Sequence, residues 1–240
     1  VIRSMENMGA HILHTYGLTE TYGPTAICAI QPDWKEKSSE EVANLKARQG
    51  VAYVVADTGM RVVDTEMNDV ERNGSQMGEV VMNGNIVMSG YFDDEDATNK
   101  AFEGGWFHSG DLAVWHPDGY IELQDRAKDI IISGGENISS QEVEKVIMEH
   151  DGVLEVSVVG VPDERWGEVP KAFVMSREGV TVSEEEIVTF TRDRIAHFKA
   201  PKYVEFGELP KTATGKIQKY VLREREWEGK EKRIQGSSLT

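Results

Sequence analysis

The sequence predicts an α+β fold in two parts, a β-rich first part over residues 1–127 and a compact α+β domain over 128–240. Three observations point there. From Val51 to Leu123, short β-prone runs are broken by Gly and Asn at close spacing, the texture of a small barrel or sandwich. After Arg126, strand-like runs alternate with serine-capped amphipathic helices. The charge divides as well: residues 1–127 carry 9 basic against 21 acidic side chains, net −12, while 128–240 carry 17 against 21, net −4.

Taken in order, residues 38–49 read as a short helix capped by serine, with Val42 and Leu45 as its apolar positions. Strands are expected at Val51–Ala56, Gly59–Val63, Gly78–Met82, Trp106–Phe107 and Tyr120–Leu123. Asn73-Gly74, Asn83-Gly84 and Pro117-Asp118-Gly119 are the turns between them. Asp93–Phe102 reads as a helix. In the second part Ile130–Ile132 is a strand, and Ser139 with Glu142 forms a capping box ahead of Val143, Val146 and Ile147. Val153–Val161 is a buried strand ended by Pro162-Asp163, and Lys171–Met175 is another. Ser183 with Glu186 caps a helix carrying Ile187, Phe190 and Ile195. Tyr203–Phe206 is a short strand and Gln218–Trp227 a final helix, whose Lys211–Arg233 surroundings, interleaved with Glu224, Glu226, Glu228 and Glu231, read as a solvated face.

Composition narrows the function. At 39% hydrophobic and 28% charged the 240 residues suit a globular protein. A net charge of −16 argues against nucleic acid or an anionic membrane surface as the main partner. No apolar run approaches the roughly 20 residues of a membrane span, so no transmembrane segment is expected. Cys28, the single cysteine, suits a reducing compartment, and no signal segment opens the chain, so the default setting is cytoplasmic. The terminal Ser238-Leu239-Thr240 is not a peroxisomal Ser-Lys-Leu address. The histidines His11, His14, His116, His150 and His197 lack metal-ligand spacing.

Four segments group glycine with polar residues. In His14-Thr15-Tyr16-Gly17-Leu18-Thr19-Glu20, glycine lets backbone approach a ligand, Thr19 offers a hydroxyl to phosphate and Glu20 a hard carboxylate to Mg²⁺; the same residues fit a loop with a capping Thr and a solvated Glu. In Gly105-Trp106-Phe107-His108-Ser109-Gly110-Asp111, a carboxylate after glycine at the end of a β-run fits vicinal hydroxyls, or a plain turn. In Asp125 to Ile138, Arg126 precedes a strand and the Gly134-Gly135 turn, which fits phosphate, a narrow ligand, or an empty strand-to-helix connection. In Leu209 to Ile217, Thr214-Gly215-Lys216 is not a P-loop because position 210 is Pro, yet a loop lysine beside glycine suits phosphate.

In this order and spacing the segments resemble the adenylate-forming superfamily of acyl-CoA synthetases, luciferases and peptide-synthetase adenylation domains. The matching stretches are Tyr16–Glu20, Gly78-Glu79 through Gly90-Tyr91, Ser109-Gly110-Asp111, Asp125-Arg126 through Glu144, and Pro210-Lys211-Thr212 through Lys216. The run Lys128 to Ser140 points to acyl-CoA synthetases for short, medium-chain or aromatic carboxylates. The resemblance implies a partial adenylation domain with a small barrel-like subdomain over 1–127, then a mobile small domain over 128–240. It implies a carboxylate, ATP and coenzyme A as substrates, with Mg²⁺. Thr15, Tyr16 and Gly17 would border the adenine, Thr19 would meet phosphate, Glu20 would hold Mg²⁺, and Asp111 and Arg126 would grip ribose or phosphate. Lys216 would bridge the carboxylate and α-phosphate. Lys128 would be the hinge, or a solvated boundary lysine. Gly134, Gly135 and Glu136 would line a pantetheine channel with Trp166 near the CoA, unless Trp166 is simple core. Gly23 and Pro24 would touch the acyl chain.

Two departures qualify the resemblance. The family's aromatic-Arg-Thr-Gly-Asp pattern is here Phe107-His108-Ser109-Gly110-Asp111, with His108 expected to face solvent or to pack. The Gly- and Ser/Thr-rich loop that cradles the outer phosphates is not in the sequence, nor is most of the acyl pocket. The chain therefore reads as about the last two-fifths of a synthetase, opening on Val1 just before the first motif. The other readings are a fragment that only binds nucleotide, CoA or a partner, and a peptide-synthetase adenylation module. Some relatives of such enzymes are peroxisomal or mitochondrial.

Overall fold

The computed structural model describes residues 2–53 and 59–230. Val1, positions 54–56 of the first expected strand, and Glu231, Arg233 and Ser238–Thr240 lie outside the described residues. The chain forms two compact units that divide between Gln124 and Asp125.

The first unit opens with helix α1 (Ile2–Asn7), which no sequence signal announced, and strands β1 (Thr15–Leu18) and β2 (Gly23–Ile27). Helix α2 (Ser39–Ala47) follows, with Ser38 and Glu41 completing a reciprocal capping box. Strand β3 (Val51–Ala52) joins β1 and β2 in an antiparallel three-stranded sheet. Strands β4 (Gly59–Val63), β5 (Met77–Asn83), β6 (Phe107–Trp115) and β7 (Ile121–Arg126) form a four-stranded sheet in chain order, with α3 (Glu95–Ala101) between β5 and β6. A bridge between Gly50 and Ile121 ties the two sheets together. The expected barrel is therefore corrected to open sheets: four strands are too few to curl around a filled interior, and the three-stranded sheet covers part of the apolar face instead. Tyr16, Val62, Val80, Met82, Phe107, Trp115 and Ile121 pack as one core. A smaller cluster joins Cys28, Trp34 and Tyr120, with the Arg48 guanidinium 4.5 Å from the Tyr120 ring and paired to Asp118 at 2.9 Å.

Strand β6 was expected to end at Phe107 but continues through Ser109-Gly110-Asp111 to Trp115. Val81 pairs with His108 and Glu79 with Leu112, so three residues of β6 stand opposite Val80 alone. This enlarged bulge adds two residues, which keeps the inward and outward faces in phase on either side of it.

The second unit holds β8 (Ile131–Ser133), β9 (Glu136–Ile138), α4 (Ser140–Ile147), β10 (Val153–Asp163), β11 (Gly167–Ser176), α5 (Glu184–Arg192), β12 (Tyr203–Phe206) and α6 (Lys219–Trp227). Strand β11 pairs antiparallel with β10, meets β8 at Gly167 and Ser133, and pairs parallel with β12. Alternation along the strands serves two layers. Val156, Val158, Ala172 and Val174 face Val143, Ile147 and Ile187 of α4 and α5. Val159, Val161 and Phe173 pack with Leu209 and Leu222, the latter on α6.

Four local expectations change. Gly134-Gly135, both at positive φ, turn a β8–β9 hairpin before the helix rather than leading straight into it. Strand β10 runs through Pro162-Asp163 to pair with Gly167-Glu168. Ile195 lies beyond α5. The capping box at Ser139 is only half made: Ser139 accepts from the Glu142 N–H, but the Glu142 carboxylate is drawn away to Lys199 Nζ at 2.7 Å.

Candidate functional site

In the first unit the motif begins on β1. Tyr16 is buried, and its hydroxyl donates to Asp111 Oδ2 at 2.7 Å, joining two candidate residues 95 positions apart. Next to it Gly17 sits where Thr25 bulges out of β2, and a Cβ at 17 would come within 2.1 Å of the Gly23 carbonyl oxygen. Only glycine allows that approach. Gly23 and Pro24 pair with Leu18 and Gly17 across the sheet, and Thr15 pairs with Ile27.

The chain then makes a single 3-10 turn, Thr19–Thr21, with Glu20 in it. Thr21 is fully buried; its single hydroxyl proton is shared between the Leu18 and Gly23 carbonyls, and its oxygen accepts from the Leu18 N–H at 2.9 Å. These bonds lock the turn, so Thr19 stands exposed and Glu20 half-buried. The Glu20 carbonyl accepts from Met88 N–H at 2.7 Å, and its Oε1 accepts from the Tyr91 hydroxyl at 3.2 Å. Burial pushes the Tyr91 phenol above its ordinary range, and the Glu20 carboxylate pushes it further. Thr21 escaped the sequence reading because a hydroxyl bonding its own turn leaves only a weak local signal.

Asp111 lies inside the β6 bulge. Gly110, at φ +70°, donates its N–H to Glu79 Oε1 at 2.9 Å, and Ser109 Oγ donates to the Val80 carbonyl at 2.6 Å. The Asp111 N–H donates to Ser109 Oγ at 3.1 Å. His108 does not face open solvent: Nδ1 lies 2.8 Å from Glu79 Oε2 and Nε2 lies 3.0 Å from the Glu103 carbonyl.

In the second unit, Asp125 is 2% exposed and its Oδ2 accepts from Ser140 N–H at 2.6 Å and Ser140 Oγ at 2.8 Å. Ser140 Oγ also receives Lys219 Nζ at 2.6 Å, and Lys219 pairs with Glu144 at 2.8 Å. Burial pushes the Glu144 carboxyl above its usual range against the pull of Lys219. Arg126 follows directly, its N–H bonded to Asp125 Oδ1 at 2.8 Å. Lys128 is exposed in a short 3-10 turn, yet its carbonyl accepts from Arg223 Nη1 of α6, and the same guanidinium pairs with Asp129 at 2.8 Å. Arg223 is a functional-looking residue the sequence reading missed, because its partners lie some 95 positions away.

Trp166 is 44% exposed, which sets aside its reading as simple core. Its ring packs against Gly134, where a Cβ would come within 2.7 Å of it, and the Gly134 N–H donates to the Trp166 carbonyl at 2.8 Å. Arg165 stacks on the same ring at 4.5 Å. Glu136 is exposed at the start of β9. Lys216 stands on a tight loop closed by Thr212 N–H to the Lys216 carbonyl at 2.8 Å and by Lys216 N–H to Thr212 Oγ at 3.1 Å. Its ammonium is exposed and makes no ion pair among the described residues. The second unit thus brings Gly134 to Trp166, and the first brings Tyr16 to Asp111.

Residues 1–92 match the family described as AMP-binding enzyme, and residues 142–216 match the AMP-binding enzyme C-terminal domain. The acetate–CoA ligase of Humulus lupulus is 54% identical over 93% of this chain and 40% of its own length. A 4-hydroxybutyrate–CoA ligase of Metallosphaera sedula is 52% identical over 92% of this chain and 40% of its own length. Among solved structures, ATP-bound MatB from Rhodopseudomonas palustris superposes with a TM-score of 0.77 at 30% identity, over 92% of this chain and 41% of that one. The o-succinylbenzoate–CoA synthetase of Bacillus subtilis, complexed with its acyl-adenylate, gives 0.78 at 29% identity, over 92% of this chain and 43% of that one. The chain therefore spans about 40% of the length of the curated relatives it matches. Among the described residues, no helix is long and apolar enough to cross a membrane.

Proposed function

Since the chain belongs to the AMP-binding enzymes, we propose that it supplies the C-terminal portion of a carboxylate–CoA ligase. In the first half-reaction a carboxylate oxygen attacks the α-phosphorus of ATP, the bond to pyrophosphate breaks, and acyl-AMP forms. In the second, the CoA thiol attacks the acyl carbon and AMP leaves. Residues 1–127 would complete the nucleotide-binding domain and 128–240 would be the small mobile domain.

The observation that carries this reading is the buried Tyr16–Asp111 bond, which fixes the Asp111 carboxylate on a tyrosine three residues ahead of the Thr19–Thr21 turn. Asp111 would accept from the ribose hydroxyls, Thr15, Tyr16 and Gly17 would border the adenine, Thr19 would donate to phosphate, and Arg126 would meet ribose or phosphate. Glu20 suits magnesium: it is a hard oxygen donor, and Mg²⁺ is commonly held by one or two carboxylates with substrate phosphates completing the shell. Bound there, the ion would offset phosphate charge as the leaving pyrophosphate departs. Lys216, on its exposed loop, would neutralise charge building between carboxylate and α-phosphate, where a preorganised cation matters most.

Lys128 would be the hinge between the two half-reactions. Gly134, Gly135 and Glu136 would pass the pantetheine arm, with the exposed Trp166 ring available to CoA. Gly23 and Pro24 would border the acyl chain. The relatives named for acetate and 4-hydroxybutyrate support a short carboxylate as substrate. The lone buried thiol of Cys28 supports a reducing compartment, the cytosol or a peroxisomal matrix, and a similar acetate/butyrate–CoA ligase of Arabidopsis thaliana is named peroxisomal.

The decisive experiment is Lys216→Ala in the parent ligase. Loss of ATP–pyrophosphate exchange with retained thioester formation from supplied acyl-AMP is expected, and equal loss of both sinks the assignment. Pyrophosphate exchange by the 240-residue chain itself, with ATP and acetate or 4-hydroxybutyrate, separates a ligase portion active alone from a fragment that only binds ligand.

A further inference from the structure

Asp111 is reached by an unusual piece of backbone. Three residues of β6 face one residue of β5, so the ladder across Val80 cannot close with ordinary rungs. An unpaired N–H in such a place is costly, and something must accept from it. The acceptor is the Glu79 side chain: Oε1 takes the Gly110 N–H at 2.9 Å while Oε2 meets His108 Nδ1 at 2.8 Å. One carboxylate therefore grips the bulge at its apex and at its N-terminal edge. Ser109 fixes the third point by donating to the Val80 carbonyl and accepting from the Asp111 N–H.

We propose that Glu79 is a positioning residue, whose carboxylate replaces a rung of the β5–β6 ladder and holds the bulge that presents Asp111 to Tyr16 and to the nucleotide ribose. The proposal rests on the reading of Asp111 as the ribose ligand. Glu79 lies 32 positions from Asp111 and makes no direct bond to it, acting through Gly110 and His108. The conservative variant has a defined outcome. In Glu79→Gln the amide oxygen still accepts from Gly110, and the amide NH₂ donates to His108 Nδ1 while His108 Nε2–H faces the Glu103 carbonyl. Glu79→Ala removes both bonds.

The test uses the 240-residue chain with AMP, 2′-deoxy-AMP and 3′-deoxy-AMP as probes, binding read by calorimetry and Gly110 amide exchange read by ¹⁵N NMR. Wild type should prefer AMP over each deoxy analogue by about tenfold, the worth of one charge-assisted hydrogen bond. Glu79→Ala should bring that ratio near one and speed Gly110 exchange at least about tenfold, while Glu79→Gln restores both. A retained ratio or unchanged Gly110 exchange in Glu79→Ala overturns the proposal. If wild type and Asp111→Asn discriminate equally, the ribose reading itself fails and the proposal falls at its premise; Gly110 exchange then tells separately whether Glu79 holds the bulge.

Discussion

Replacing Asp125 by alanine tests the packing of the second unit at its most polar point. The carboxylate is 2% exposed, and its Oδ2 takes Ser140 N–H at 2.6 Å and Ser140 Oγ at 2.8 Å, with Ser139 Oγ and Gln141 N–H further off at 3.3 Å. Two short bonds to a charged acceptor contribute about 1.5 kcal/mol each, so Asp125→Ala should lose about 3 kcal/mol. A negative charge at the start of α4 adds up to about 1 kcal/mol. Asp125→Asn keeps one acceptor and the volume, and should lose about half as much. Urea unfolding read at the indole resonance of Trp227, buried in the same unit, isolates the relevant transition. A loss below about 1 kcal/mol for Asp125→Ala, or equal losses for Ala and Asn, would show that the bonds to Oδ2 do not hold α4 in place.

Three further expectations follow from named contacts. Gly17→Ala places a Cβ 2.1 Å from the Gly23 carbonyl oxygen, and should lower first-unit stability by about 3 kcal/mol in thermal unfolding by circular dichroism. Arg223→Met leaves Asp129 half of a broken buried pair, costing about 3 kcal/mol in the second unit, and should hasten tryptic cleavage after Lys128; unchanged cleavage counts against the grip. Partial burial pushes the Asp118 carboxyl upward, but the bonds from Arg48 and the Tyr120 N–H outweigh it and hold the group below the ordinary aspartate range. Its contribution is therefore complete above the unfolded value and fades as pH falls through the folded one, so Asp118→Asn should flatten the acid limb of first-unit unfolding followed by near-ultraviolet dichroism.

What could be read in the sequence was what is local. Gly59–Val63 and Tyr203–Phe206 form strands over the expected residues, because alternation and flanking turns suffice to define short strands. Ser38 and Ser183 cap their helices as the spacing to Glu41 and Glu186 foretells. The same signal at Ser139 was incomplete, because Lys199, 57 residues from Glu142, claims the glutamate. Ser109-Gly110-Asp111 looks like a turn when read alone, yet it lies within β6, where Glu79, 31 residues from Gly110, accepts the Gly110 N–H. The candidate site shows the same split. Tyr16–Glu20 and the Lys216 loop are contiguous and visible as motifs, whereas Tyr16 to Asp111 and Arg223 to Lys128 are long-range contacts that no spacing rule reveals.

Helix α6 also has a mechanical meaning. Lys219, Arg223 and Trp227 follow one another at intervals of four and so share one helical face. They fasten that face at separate points: Lys219 to Ser140 and Glu144, Arg223 to the Lys128 carbonyl and Asp129, and the Trp227 indole to the Gly160 carbonyl at 3.0 Å. The loop that ends in Lys216 leads into the first of these anchors within three residues. Segment 128–129 and the Lys216 loop are thus bolted to one rod. Residues 128–129 and the segment leaving the Lys216 loop therefore share a single support, the inner face of α6.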